Sequence, residues 1–135
     1  MILLIAVAVA AISAWAFSKK NGRFATRSSQ DRLLATDLGI DLGERATLVQ
    51  FSSAFCAPCR ATRVLLTDIA GKVDGVVTVD IDAEEHLELV RRLNILRTPT
   101  VLILDADGAI VTRASGLPRR EQVLSALGNA VGGRQ

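Results

Sequence analysis

Cysteine and histidine are scarce in this chain: there are two cysteines, Cys56 and Cys59, and one histidine, His86. A small secreted domain stapled by several disulfides is therefore excluded. So is a four-cysteine zinc site, because these three residues are the only ligands of that kind; no metal site is expected. Charge of one sign is scarce too. The net charge is +2 and unevenly placed. Five basic residues (Lys19, Lys20, Arg23, Arg27, Arg32) face one acid, Asp31, between Ser18 and Arg32. From Leu33 onward eleven basic residues are outnumbered by thirteen acidic ones. The body of the chain thus lacks the basic face that nucleic-acid binding needs, and no nucleic-acid partner is expected. Internal repeats are absent. With 135 residues, about half of them apolar, the chain can build one core but not two.

One long apolar run is present. Met1 to Phe17 holds no charge and a single hydroxyl, Ser13. Its seventeen residues sit near the lower limit for a membrane-spanning helix. Trp15 and Phe17 end it, and Lys19 and Lys20 follow, as interfacial anchors do. A buried core helix is one rival reading. A cleaved signal peptide is another, and Ala14-Trp15-Ala16 resembles a cleavage site. A signal peptide carries its positive charge before the apolar run, whereas here it follows. The expectation is an uncleaved single-pass anchor over 1–17 in a bacterial cell membrane, with the C-terminal domain on the cytoplasmic side. The exported orientation remains the alternative. Residues 18–31 read as a basic juxtamembrane tether, 32–131 as the folded domain, and 132–135 as a flexible tail.

Along 32–131 helix and strand signals alternate. Leu33–Ala35 is a candidate short strand, followed by a helix from Thr36-Asp37 to about Leu42 that stops at Gly43. Ala46–Ser52 is a buried strand. A helix follows from Pro58 to about Ala70, ended by Gly71, with Ala61, Val64, Leu65 and Ile69 at helical spacing. Val76–Ile81 is a strand, and 83–93 a helix carrying Leu87, Leu89, Val90 and Leu93. Thr100–Leu104 and Ala109–Arg113 form a hairpin through Asp105-Ala106-Asp107-Gly108. Gly116 breaks the chain, and Pro118 sits near the start of a last helix reaching Val131, with Val123, Leu124 and Leu127 inward. Helix-connected strands predict an α/β fold whose sheet is mostly parallel, flanked by helices, with one antiparallel hairpin at an edge.

Cys56-Ala57-Pro58-Cys59 lies between strand and helix. There the first cysteine caps a helix, beside unpaired N–H groups that favour a thiolate. Pro58 is tolerated in the first turn, and the spacing lets the two sulfurs bridge. Cys56 is the expected nucleophile and Cys59 the resolving thiol. Two inert structural cysteines are the competing reading, which does not account for Pro58 or for the placement.

Phe51 to Leu65 (FSSAFCAPCRATRVL), Arg97-Thr98-Pro99-Thr100 and the closing hairpin, glycine and helix resemble the thioredoxin family. The resemblance implies a thioredoxin-like fold with a central mixed sheet. It implies a thiol–disulfide oxidoreductase that reduces protein disulfides and uses no cofactor beyond the Cys56–Cys59 disulfide. A thioredoxin reductase is then a candidate electron donor, and the domain is expected to be monomeric. By the same resemblance Pro99 is the cis-proline beside the active site, and Thr98 presents backbone to an extended partner; an ordinary trans turn is the alternative. Gly116 keeps the groove open, and Phe55, Ala57 and Pro58 complete the substrate-binding surface. The chain departs from the family at Gln50, where a buried Asp is usual, at Thr78, which matches the position of a Lys, and at Ser52, which replaces an aromatic. Gln50 is the proton-transfer candidate by position, but an amide cannot take the proton of the resolving cysteine. Slower or narrower exchange follows, as does a redox-switched binding module as a further reading. His86 is expected on a solvated helix face, and Arg60 adds positive potential near Cys56.

Overall fold

The segment Ala46–Ser52 (β1) is buried at every one of its seven positions, so it must be central and covered on both faces. The computed structural model describes residues 1–21 and 32–132, with the side chains of 14–21 excepted. Around β1 it arranges Val76–Asp82 (β2), Thr100–Asp105 (β3) and Ile110–Ser115 (β4) in the order β2-β1-β3-β4. β2 runs parallel to β1, while β3 runs antiparallel to β1 and β4 antiparallel to β3. The sheet is mixed, and the mostly parallel sheet read from the sequence is corrected. The connection after β2, residues 83–99 with the short helix Leu87–Arg92 (α4), does not cross back over the sheet, and β3 begins at the end where β2 stopped.

Alternate residues of β1 point to opposite faces. Ala46 and Leu48 pack with Leu66 and Ile69 of Ala57–Lys72 (α3) and with Val123 and Leu127 of Arg120–Gly132 (α5). Val49 and Phe51 pack on the other face with Leu33, Ile81, Leu89, Leu93 and Leu102. The helical phase differs from the sequence reading at four positions: Ala61, Val64, Leu87 and Leu124 are exposed, and Leu66 takes the core position on α3.

Several boundaries also move, each for a local reason. The short strand expected at Leu33–Ala35 shrinks to a bridge between Arg32 and Ala109. Ala35 opens the helix Ala35–Leu38 (α2) because the Asp37 carboxylate accepts the Leu34 N–H at 2.8 Å. Gly39, not Gly43, stops α2: it adopts φ 71° and its N–H returns to Ala35 O. Gly71 does not end α3, which continues to Lys72. The helix expected over 83–93 begins only at Leu87, because Asp82 Oδ1 accepts the Glu84 N–H and Asp82 O the Glu85 N–H. Those bonds hold a turn in competition with the helix.

At the N-terminus, Ile2–Asn21 (α1) is a helix of 20 residues. Among the described residues no helix is long and apolar enough to cross a membrane. The side chains of 14–17, which complete the expected anchor, lie outside the described residues. So do residues 22–31 of the expected tether and residues 133–135 of the tail.

Candidate active site

β1 delivers the chain to the end of the sheet where β2 stops, and four residues, Ser53 to Cys56, turn it into α3. The turn is tight. Phe55 adopts φ 59°, a left-handed conformation that is strained for a bulky side chain. It leaves the Phe55 ring fully exposed, at 105%. Cys56 is the N-cap of α3, with extended backbone, and Pro58 falls within the first turn. The Cys59 N–H points at Cys56 Sγ at 3.2 Å. The two cysteines form a disulfide, with Cα atoms 5.2 Å apart. Cys56 is partly exposed, whereas Cys59 is buried, 2% exposed. One sulfur therefore meets solvent and partners while the other waits beneath it. Thr62, wholly buried, donates its hydroxyl to Pro58 O at 2.8 Å and fixes the first turn.

The loop before β3 closes the site from the other side. The Thr98–Pro99 peptide is cis, as the family resemblance implied. The Ser53 and Thr98 hydroxyls lie 2.7 Å apart, so the loop is held to the turn that presents Cys56. Pro99 itself is buried, and Pro99 O accepts the Gly116 N–H at 2.7 Å. Among the described residues no internal hydrogen bond takes the Thr98 backbone N–H, which leaves it open to an extended chain laid alongside. Gly116 adopts φ 84°, a conformation glycine takes without a Cβ clash. Phe55, Ala57 and Pro58 are exposed around the disulfide, and Thr98 and Gly116 are partly exposed.

Gln50 lies below, on β1, 1% exposed. Its Nε2 donates to Cys59 O at 2.7 Å. It thus supports the backbone of the resolving cysteine and supplies no base. The pairing register places Asp80, not Thr78, beside Gln50; Thr78 lies opposite Leu48. Asp80 was missed by sequence reasoning. Its carboxylate accepts from the Ser52 hydroxyl at 2.6 Å and from Arg63 Nε at 2.8 Å, with Arg63 one turn beyond Cys59. Ser52, where the family has an aromatic, is thereby satisfied. The available signal was an acid within the otherwise apolar run VVTVDI. His86 is exposed as expected, but at the N-cap of α4, not along its face. Among the described residues no cluster of His, Cys, Asp and Glu is suited to a metal ion.

Residues 37–129 match the thioredoxin family. The chain belongs to the thioredoxin family. A thioredoxin of Mycolicibacterium smegmatis is 31% identical over 111 residues, 79% of this chain and 96% of that one. Thioredoxin domain-containing protein 2 of Mus musculus is 35% identical over 60 residues, 44% of this chain. The chain spans only about an eighth of that longer mouse relative, 12% of its length. Among solved structures, a chloroplastic thioredoxin z superposes with a TM-score of 0.59 at 27% identity, covering 67% of this chain and 81% of that one. Spinach chloroplast thioredoxin f superposes with a TM-score of 0.57 at 24% identity, covering 65% and 78%. The thioredoxin fold and the paired cysteines together support thiol–disulfide oxidoreductase chemistry.

Proposed function

We propose that the protein is a membrane-tethered thiol–disulfide oxidoreductase that reduces disulfides of proteins at or near the membrane. The observation that carries the exchange chemistry is the Cys56–Cys59 disulfide with its leading sulfur partly exposed at the N-cap of α3. In the reduced protein the helix N-terminus favours the Cys56 thiolate over the thiol. The thiolate attacks one sulfur of a partner disulfide; that S–S bond breaks, and the departing partner thiolate takes up a proton. Cys59 then gives up its proton and attacks Cys56 Sγ within the mixed disulfide. The intermolecular bond breaks, the second partner thiolate is protonated, and the Cys56–Cys59 disulfide closes. Two electrons and two protons have passed to the partner. The next turn of the cycle needs a dithiol donor, for which a thioredoxin reductase is the candidate.

The tether rests on α1. Its described side chains, over 1–13, continue in the sequence into the apolar residues 14–17 and make with them the uncharged run Met1 to Phe17, near the lower limit for a span. Residues 1–13 are exposed, and their large apolar side chains lie on all sides of the helix, a pattern suited to lipid. The Ser13 hydroxyl returns its hydrogen to Val9 O at 2.7 Å, so it can enter lipid already satisfied. The basic residues that follow favour a domain on the cytoplasmic side of a bacterial membrane. Alkaline phosphatase fused to the C-terminus is expected to be inactive in bacterial cells; an active fusion would establish the exported orientation.

Catalysis of insulin reduction by dithiothreitol tests the exchange reading. The soluble fragment from residue 32 is expected to accelerate it, and Cys56→Ser to abolish the acceleration. A wild-type fragment that gives none refutes the reductase. Gln50 in place of a proton acceptor favours a second reading, a redox-switched binding module. Trapping with Cys59→Ser separates the two: many captured partners support the reductase, a single one the dedicated module.

A further inference from the structure

We propose that Arg97 selects protein disulfides whose reacting cysteine is flanked by a carboxylate, acting as a specificity-determining residue of the groove. The inference rests on the exchange reading above. Arg97 stands two residues before the cis-proline Pro99, in the loop that would receive an extended partner. Its side chain reaches across to the β4–α5 loop. Nη2 lies 3.4 Å from Ser115 O, and a Cβ placed on Gly116 would stand 3.2 Å from the same nitrogen. Gly116 is the residue whose N–H is bound to Pro99 O. The guanidinium thus sits over the junction of the two loops that form the groove.

Its partners are nearly all missing. A guanidinium has five N–H donors, and Arg97 uses one of them in a single long bond to a carbonyl. Among the described residues no carboxylate pairs with it, nor with Arg45, Arg91, Arg113 or Arg119, whereas Arg63, Arg92 and Arg120 each have one. Arg60, exposed one residue beyond Cys59, also has no carboxylate partner among the described residues. At the end of β2, Asp80 and Asp82 are engaged by Ser52, Arg63 and the Glu84 N–H. Arg60, next to Cys59, and Arg97, next to Thr98, thus put two unpaired cations beside the reactive segments, and Leu96 and Leu117, chain neighbours of Arg97 and Gly116, are exposed. The occupant that complements these cations is an extended protein segment with Asp or Glu beside its disulfide cysteine. Its backbone would lie on Thr98 while its carboxylate takes the free fork of Arg97.

The test uses the full chain and two synthetic disulfide peptides that differ only by Glu or Gln next to the attacked cysteine. The readout is the ratio of kcat/KM for the two peptides, in which any general loss of exchange cancels. For the wild type a ratio of about five is expected at low ionic strength, the size of a solvent-exposed charge contact. It should fall toward one in about 1 M salt. Arg97→Ala should bring the ratio to one at low salt, Arg97→Glu should invert it, and Arg97→Lys should keep part of it. A wild-type ratio of one, or a ratio that Arg97→Ala leaves intact, overturns the proposal. Hydroxyethyl disulfide, small and neutral, tests the underlying chemistry separately. If the wild type does not reduce it, the exchange reading falls and this inference with it. If it is reduced while the peptide ratio is one, only the inference about Arg97 falls.

Discussion

Replacing Gln50 by Asp separates what that residue does for stability from what it withholds from catalysis. The wild-type amide is 1% exposed and donates to Cys59 O at 2.7 Å. A carboxylate cannot donate, so the substitution removes that bond and adds a buried negative charge. Losing the partner of a buried carbonyl costs about 1–3 kcal/mol. For a domain of this size about 2 kcal/mol corresponds to a fall in Tm of roughly 8–16 °C. Burial would raise the new carboxyl's pKa in the folded state above its unfolded value. The stability deficit is therefore greatest above the folded pKa, shrinks as pH falls through it, and is smallest below the unfolded value of about 4, where the neutral carboxyl can donate again. The same buried base beside Cys59 can accept the proton the resolving thiol must lose. General-base assistance typically contributes at least about a hundredfold; the shorter Asp side chain reduces that, and about tenfold faster resolution is expected near pH 7. Gln50→Leu is the control, since it loses the bond without gaining a base. Stopped-flow reduction of a protein disulfide, with thermal melts of each variant, reads both effects. If Gln50→Asp resolves the mixed disulfide no faster than Gln50→Leu, the assignment of Gln50 as the missing base is wrong.

Phe55→Gly removes a strained left-handed residue whose side chain contributes no burial. It should leave stability unchanged or raise it by up to about 1 kcal/mol, while kcat/KM for protein disulfides falls several-fold because the apolar docking ring is gone. A substrate rate equal to wild type would show that Phe55 takes no part in docking. The Asp37 carboxyl is held below the ordinary carboxylate range, first by its hydrogen bond from Arg92, 3.0 Å away, and also by the Leu34 N–H, against an opposing effect of burial. A depressed folded pKa means that its stabilisation is present above about pH 4 and lost as pH falls through the folded value. Asp37→Asn should cost about 0.5–1 kcal/mol at pH 7 and nothing near pH 2; urea titrations at the two pH values showing an equal deficit would refute this.

What could be read from the chain was what short-range chemistry controls. β1 runs from Ala46 to Ser52 as expected, because a short, mostly apolar run with Leu48, Val49 and Phe51 specifies a buried strand. Cys56 caps α3, and Gly108 with φ 83° makes the hairpin turn, because Pro58 and glycine act on their own backbone. The cis Thr98–Pro99 peptide was legible only through likeness to a family, since a prolyl bond carries no local mark of its isomer.

Tertiary structure decided whatever depends on two segments meeting. The direction of β3 was set by its antiparallel pairing with β1, and α4 began late because Asp82 bonds to the Glu84 and Glu85 N–H groups and holds a turn ahead of it. Val64 and Leu66 on α3 are equally apolar, and only the sheet beneath the helix determined which was buried. Asp80 met Ser52 from 28 residues away, and Arg97 met Ser115 from 18. The sequence by itself determined the reactive pair and the turn that presents it, because those are bonded neighbours. The bond from Gln50 to Cys59 O and the unpaired cation beside the groove came from the fold, because distance in space is not encoded by distance along the chain.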